Sequence, residues 1–180
     1  MNVKTKRRML IETAAQFIGV TESGVNKGPL IEMFQKEVDG KAAGEPWCVS
    51  FVQYCVREVD RRWLKEQFGK TLAQTLLFKT ESSRVLWERT PHVARSDYGE
   101  VGDIQVWAKY DASGNITPFG HVGIVTDVLP NGYVLTIEGN TGAGGSGVER
   151  EGDGVFVKRR PAMQNAGSMR TLGFLSPWAY

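Results

Sequence analysis

The sequence predicts an α+β fold in which N-terminal helices pack on a C-terminal antiparallel β-sheet. Two observations carry this. In the first half of the chain, apolar side chains recur at steps of three and four, the period of a helix with one buried side. From residue 100 onward, short β-rich runs alternate with Gly, Pro, Asn and Asp, as strands and turns of a meander do. Neither an internal repeat nor a shift in composition marks a linker, so residues 1–180 are expected to form one domain.

The first helix is expected over residues 5–18, with Leu10, Ala14, Phe17 and Ile18 on its apolar side. GVTESGVNKGP reads as a loop, and Pro29 suits the first turn of a second helix, PLIEMFQKEV. The loop DGKAAGEP delivers the chain to Trp47 and Cys48. In WCVSFVQYCVREV, Val49, Val52, Val56 and Val59 keep the helical period. Residues 61–79 are expected to be helical with an interruption at Gly69, and SSRVLWER forms a short helix capped by a serine. The strands are GDIQVWAKY, HVGIVTDVL, GYVLTIEG, GVFVKRR and LGFLSPW.

Composition narrows the function. A net charge of +2 over 180 residues is too small to make nucleic acid or a membrane surface the main partner, although Lys4, Lys6, Arg7 and Arg8 form a basic cluster. Glu12 and Gln16 interrupt the first apolar run, which argues against a signal peptide, and no run reaches the length of a membrane span. The protein is therefore expected to be made in the cytoplasm and to act as a monomer. TGAGGSG places Gly142, Gly144 and Gly147 in a dinucleotide-like spacing, but Asp153-Gly154 then signals a hairpin where that site needs a helix. His92, beside Pro91, reads as a surface residue.

The two cysteines, Cys48 and Cys55, stand seven residues apart. On one helix that separation is about 10 Å of rise, too far for a disulfide. Their spacing and the scarcity of histidine also argue against zinc, and no metal or other cofactor is expected. Pro46 disfavours helix before it, so Cys48 sits at a helix N-terminus, where free N–H groups and positive partial charge favour a thiolate and can receive an oxyanion. Cys55 lies inside the helix and reads as a buried small hydrophobe.

A cysteine nucleophile needs a base. His121, Gly123 and Val125 share one face of their strand, and Glu138 and Asn140 share one face of the next. A four-residue loop from Leu129 to Gly132 would set His121 opposite Asn140 and Gly123 opposite Glu138, leaving the carboxylate diagonal to the imidazole with room to turn. A two-residue Asn-Gly loop keeps the shared face but carries Glu138 farther off, and an odd-length loop without a bulge separates the groups.

EPWCVSFVQYC, Gly102-Asp103, GHVGIV and IEGNT, in that order, resemble the CHAP family (cysteine, histidine-dependent amidohydrolase/peptidase), within the papain-like group. The resemblance implies a papain-like α+β fold, Cys48 as nucleophile, His121 as base, Glu138 orienting the histidine and Asn140 as an accessory polar group. It also implies peptidoglycan as substrate, cut at an amide of the stem peptide or its link to muramic acid, as by a phage lysin or a delivered lytic effector. Calcium-binding members carry an Asp-rich run before the cysteine and a Gln beside it. Here DGKAAGEPW stands there, so calcium is not expected and a second oxyanion donor is unassigned. Trp47 either packs in the core or forms a wall of the substrate groove. Rival readings are an amidase or peptidase acting on other substrates, and a non-catalytic wall-binding or phage structural module.

Overall fold

A computed structural model describes residues 3–66, 75–144 and 152–178. Helices α1 (Val3–Ala15), α2 (Pro29–Asp39), α3 (Cys48–Glu66) and α4 (Ser83–Arg89) precede strands β1 (Arg95–Ser96), β2 (Ile104–Tyr110), β3 (Ile116–Leu129), β4 (Tyr133–Thr141), β5 (Gly154–Pro161) and β6 (Met169–Leu175). The strands form one antiparallel sheet in the order β1-β6-β2-β3-β4-β5. Strands β2 to β5 run as a meander, while β6 crosses back to flank β2. The architecture is α+β, helices first. Among the described residues, no helix is long and apolar enough to cross a membrane.

Local chemistry fixes the helix ends. Pro29 opens α2, and Gly40, at φ 85°, closes it in the left-handed conformation that glycine adopts without steric cost. Ser82 caps α4, its Oγ accepting from the Val85 N–H at 3.3 Å. The first helix ends earlier than its apolar pattern predicts: after Ala15 the chain tightens into i→i−3 bonds from Gln16, Phe17 and Ile18. That turn puts Phe17 against Phe34, Phe51 and Tyr54 and leaves Ile18 exposed. The helix expected over 61–79 is also shorter. α3 runs to Glu66, residues 67–74 lie outside the described residues, and residues 75–79 are not helical. There Leu76 N–H donates to the Pro177 carbonyl and Phe78 N–H to Thr90 Oγ1.

The two faces of the sheet differ. Ile104, Val106, Val122, Ile124, Ile137 and Leu175 join α1, α2 and α3 in the main core. Alternate residues, including Gln105, Trp107, His121, Gly123, Thr136 and Glu138, lie on the opposite face. The sheet curls enough for Gln105 Nε2 on β2 to donate to the carbonyls of Pro161 and Ala162, at 2.8 and 3.0 Å. His121 and Glu138 are both fully buried on this face.

Two residues of the N-terminal basic cluster are buried tethers. Lys6 Nζ meets Asp60 Oδ1 at 2.9 Å, and the Arg7 guanidinium meets Asp103 at 2.7 Å, Glu100 at 2.8 Å and Ser176 at 2.9 Å. They bind α1 to α3, to the start of β2 and to the segment after β6.

Candidate active site

The β3–β4 hairpin differs from both even-length loops considered. Leu129 pairs with Tyr133, so the connection is the three residues 130–132, closed by Gly132 at φ 77°. An odd loop alone would put His121 and Glu138 on opposite faces. A β-bulge at Thr126 takes up the extra residue: Asp127 pairs with Leu135, whereas Val125 pairs with Thr136. Beyond the bulge His121 and Glu138 share a face again. Gly123 is the close neighbour of Glu138, since a Cβ there would lie 2.8 Å from Glu138 Cγ. Asn140 is not a ladder partner of His121, because the β3–β4 ladder stops at the Ile124–Ile137 pair.

Glu138 is hydrogen-bonded through both oxygens. Thr136 Oγ1 donates to Oε1 at 2.6 Å and Arg160 Nε at 2.7 Å; Arg160 Nη2 reaches Oε2 at 2.6 Å, and His121 Nε2 lies 2.9 Å from the same oxygen. Burial alone would raise the carboxyl pKa, but Arg160 and His121 outweigh it and bring it from 4.5 to about 2. Glu138 is thus a fixed negative charge. Since it only accepts, Nε2 is the protonated nitrogen that donates to it.

The other imidazole nitrogen, Nδ1, is buried and makes no well-formed hydrogen bond. Cys48 stands beside the ring. Burial works to lower the His121 pKa, but Cys48 and Glu138 outweigh it and raise it from 6.5 to about 9. Trp107, paired with His121 across β2–β3, stacks on the ring with centroids 5.8 Å apart. Its buried indole face holds the imidazole plane.

Cys48 is the first residue of α3. The first N–H bonded within the helix is that of Phe51, to the Trp47 carbonyl, so the preceding N–H groups open toward the helix N-terminus. Asn140 fixes this end. It adopts a left-handed φ of 56°, is buried, and accepts from the Trp47 N–H through Oδ1 at 3.1 Å. It therefore touches the peptide before Cys48. Gly139 lets the strand approach, since a Cβ there would come within 2.7 Å of Trp47 and 2.8 Å of Phe51.

Trp47 is fully buried, stacks on Phe34 and donates through Nε1 to Glu22 at 2.7 Å. This corrects the groove-wall alternative: the indole is core and has no face to offer a substrate. A cleft of about 200 Å³ does open at Cys48, between the Glu45-Pro46 segment, the start of α4 and Phe119. Both cysteines are free. Cys55 is wholly buried, and burial pushes its thiol pKa well up. His92 is exposed in a one-turn 3₁₀ helix. The glycine run at 141–147 lies partly outside the described residues, and the next described element is β5, a strand.

A family model described as CHAP domain matches residues 40–140, over half of the chain. The chain belongs to the CHAP family. The match spans Cys48, His121, Glu138 and Asn140. Through its CHAP domain the protein is an amide hydrolase of the amidase or peptidase type, in a family whose members commonly act on peptidoglycan. No curated protein and no solved structure matches the chain. Among the described residues, no three His, Cys, Asp or Glu side chains stand together as metal ligands.

Thr136, Arg160 and Trp107 went unread in the sequence as parts of the site. Arg160 belongs to Lys158-Arg159-Arg160, which resembles a solvated charge run. Strand alternation requires one of two neighbouring basic residues to face inward, but choosing Arg160 needs the β4–β5 register, Val134 with Arg160. Trp107 could have been found only from its pairing with His121.

Proposed function

We propose that this protein is a peptidoglycan hydrolase that cleaves an amide bond of the stem peptide, or its link to muramic acid, by cysteine nucleophilic catalysis. One observation carries the reading: the imidazole of His121 is held between the ionised Glu138 carboxylate and the Cys48 side chain, with Nδ1 free for the sulfur. Cys48 first gives its proton to His121, and the resulting thiolate attacks the amide carbonyl. The oxyanion is received by N–H groups at the α3 N-terminus. His121 then protonates the leaving amine, a thioester remains on Cys48, and water attacks it to release the acid and restore the thiol. Glu138 holds the ring and favours its protonated form; Asn140 positions the segment that carries the nucleophile. The whole chain serves as one catalytic unit, since Leu10 and Ala14 of α1 lie in the same core as Cys48. Its place of action is the bacterial wall, reached after release or delivery.

The test is digestion of purified cell walls, with the new termini identified by mass spectrometry. Cys48→Ala should lower the rate by at least about 10³-fold while the protein stays folded. Retention of the wild-type rate would overturn the mechanism. Cys55→Ala should leave the rate unchanged and cost stability only, about 1 kcal/mol in urea unfolding.

A further inference from the structure

Most acidic side chains on the helices have a cationic partner: Asp60 with Lys6, Glu37 with Arg57 and Arg61, Glu58 with Arg62, Glu88 with Arg84. The two carboxylates at the Cys48 cleft, Glu45 and Glu81, are different. Among the described residues neither forms an ion pair with Lys, Arg or His, and they face each other. Glu45 Oε2 is occupied by the Ala43 N–H at 2.9 Å, whereas Oε1 is buried with no hydrogen-bond partner. Burial first, then the charges of Glu45 and Asp39 and a hydrogen bond with Glu45, hold the Glu81 carboxyl above its usual range. A carboxyl pair this close relieves its repulsion by sharing a proton or by taking a cation between the two groups.

A second, independent feature points into the same cleft. Ser83 lines it and is only 4% exposed, yet its hydroxyl hydrogen-bonds to none of the described residues. Gly120 preserves this arrangement, since a Cβ there would lie 2.4 Å from Ser83 Oγ. A hydroxyl that opens to the cleft and has no protein partner is available to bond whatever enters it. The other walls, Pro46 and Phe119, are apolar.

We infer that the cleft selects substrates carrying a positively charged amine close to the scissile amide, with the ammonium held by Glu45 and Glu81 and hydrogen-bonded to the Ser83 hydroxyl. On the peptidoglycan reading, on which this inference builds, such a group is an unblocked amine of a wall peptide. The ammonium supplies the missing positive charge and satisfies the orphaned oxygens together.

The charge preference can be read without any natural substrate. Methanethiosulfonates with an ethylammonium, an ethyl or an ethylsulfonate tail react with Cys48 by attack of its thiolate on the reagent's sulfenyl sulfur, forming a mixed disulfide and releasing methanesulfinate. With rates normalised to a free thiol, the cationic reagent should outpace the anionic one by roughly tenfold or more. The Glu45→Gln/Glu81→Gln variant should remove or reverse that preference, because a protonated His121 by itself favours the anion. A second arm compares purified walls with amines free, acetylated (charge removed) or reductively methylated (charge kept). Acetylation should slow cleavage about tenfold, methylation should not, and the double variant should treat all three alike. Equal reactivity toward the three thiol reagents, or equal cleavage of free and acetylated walls, overturns the inference while leaving wall cleavage itself intact. If the thiol reagents show the preference but no wall is cut, the inference stands and the peptidoglycan reading falls.

Discussion

Glu138 and Asp103 are both buried carboxylates with an arginine partner, yet they are pushed in opposite directions. Glu138 falls to about 2 and Asp103 rises to about 6. Burial raises both, so the surroundings decide. Glu138 receives two bonds from Arg160, one from Thr136 and the contact with His121. Asp103 receives one from Arg7 and one from the Glu100 N–H, while the Glu100 carboxylate competes for the same guanidinium and repels the Asp103 carboxylate. An arginine at hydrogen-bond distance therefore does not by itself make a buried carboxylate a dependable anion. The number of donors and the absence of a rival charge do.

The largest effect that tests this contrast is expected from Glu138→Gln. It removes the charge that orients His121 and favours its protonated form, and it replaces the ionised acceptor of the buried Arg160 with a neutral one. Wall cleavage should fall about 10²-fold or more, stability should fall by about 3 kcal/mol, and the His121 pKa, followed by NMR titration, should move down from about 9. Gly123→Ala probes the same carboxylate more gently. The added methyl meets Glu138 Cγ at 2.8 Å and Thr136 Cβ at 3.1 Å, so the side chain must shift. A roughly tenfold loss of rate with KM unchanged is expected; a wild-type rate would show that the carboxylate needs no such clearance.

Asp103→Asn should have the smallest effect, under about 1 kcal/mol at neutral pH with the cleavage rate unchanged, but it should reshape the pH profile of stability. Because its folded-state pKa is raised, Asp103 contributes stability present below 3.8 and lost as the pH rises through about 6. Glu138 is depressed, so its contribution is present above 4.5 and lost as the pH falls through about 2. His121 is raised, and its contribution is present below 6.5 and lost as the pH rises through about 9. Urea unfolding at a series of pH values should show the decline from pH 4 to 6 disappear in Asp103→Asn and persist in Glu138→Gln.

The α+β order, the cysteine helix and the strands were legible because they rest on local periodicity. The shared face of His121 and Glu138 was legible only in part. Even loops preserve parity, and nothing in PNG forbade an odd one; the Thr126 bulge that corrects it has no composition signal. Lys6 and Arg7 read as surface charge because their partners lie 54 and 96 residues away, at Asp60 and Asp103. Trp47 was open between two environments, and only the packing of Phe34, Phe51 and Gly139 around it decides for the core. Arg160 stayed hidden for the same reason as Lys6: long-range register, rather than residue type, turns a basic side chain inward.

Residues 138 and 140 lie on one short piece of β4, yet they serve different masters. The first grips the ring on the neighbouring strand, and the second grips the peptide just before the sulfur. Helical layer and sheet are thus gauged against a common reference point. A slide of one layer past the other would strain the Asn140–Trp47 bond as it moved the thiol from the imidazole, so that bond opposes the loss of alignment.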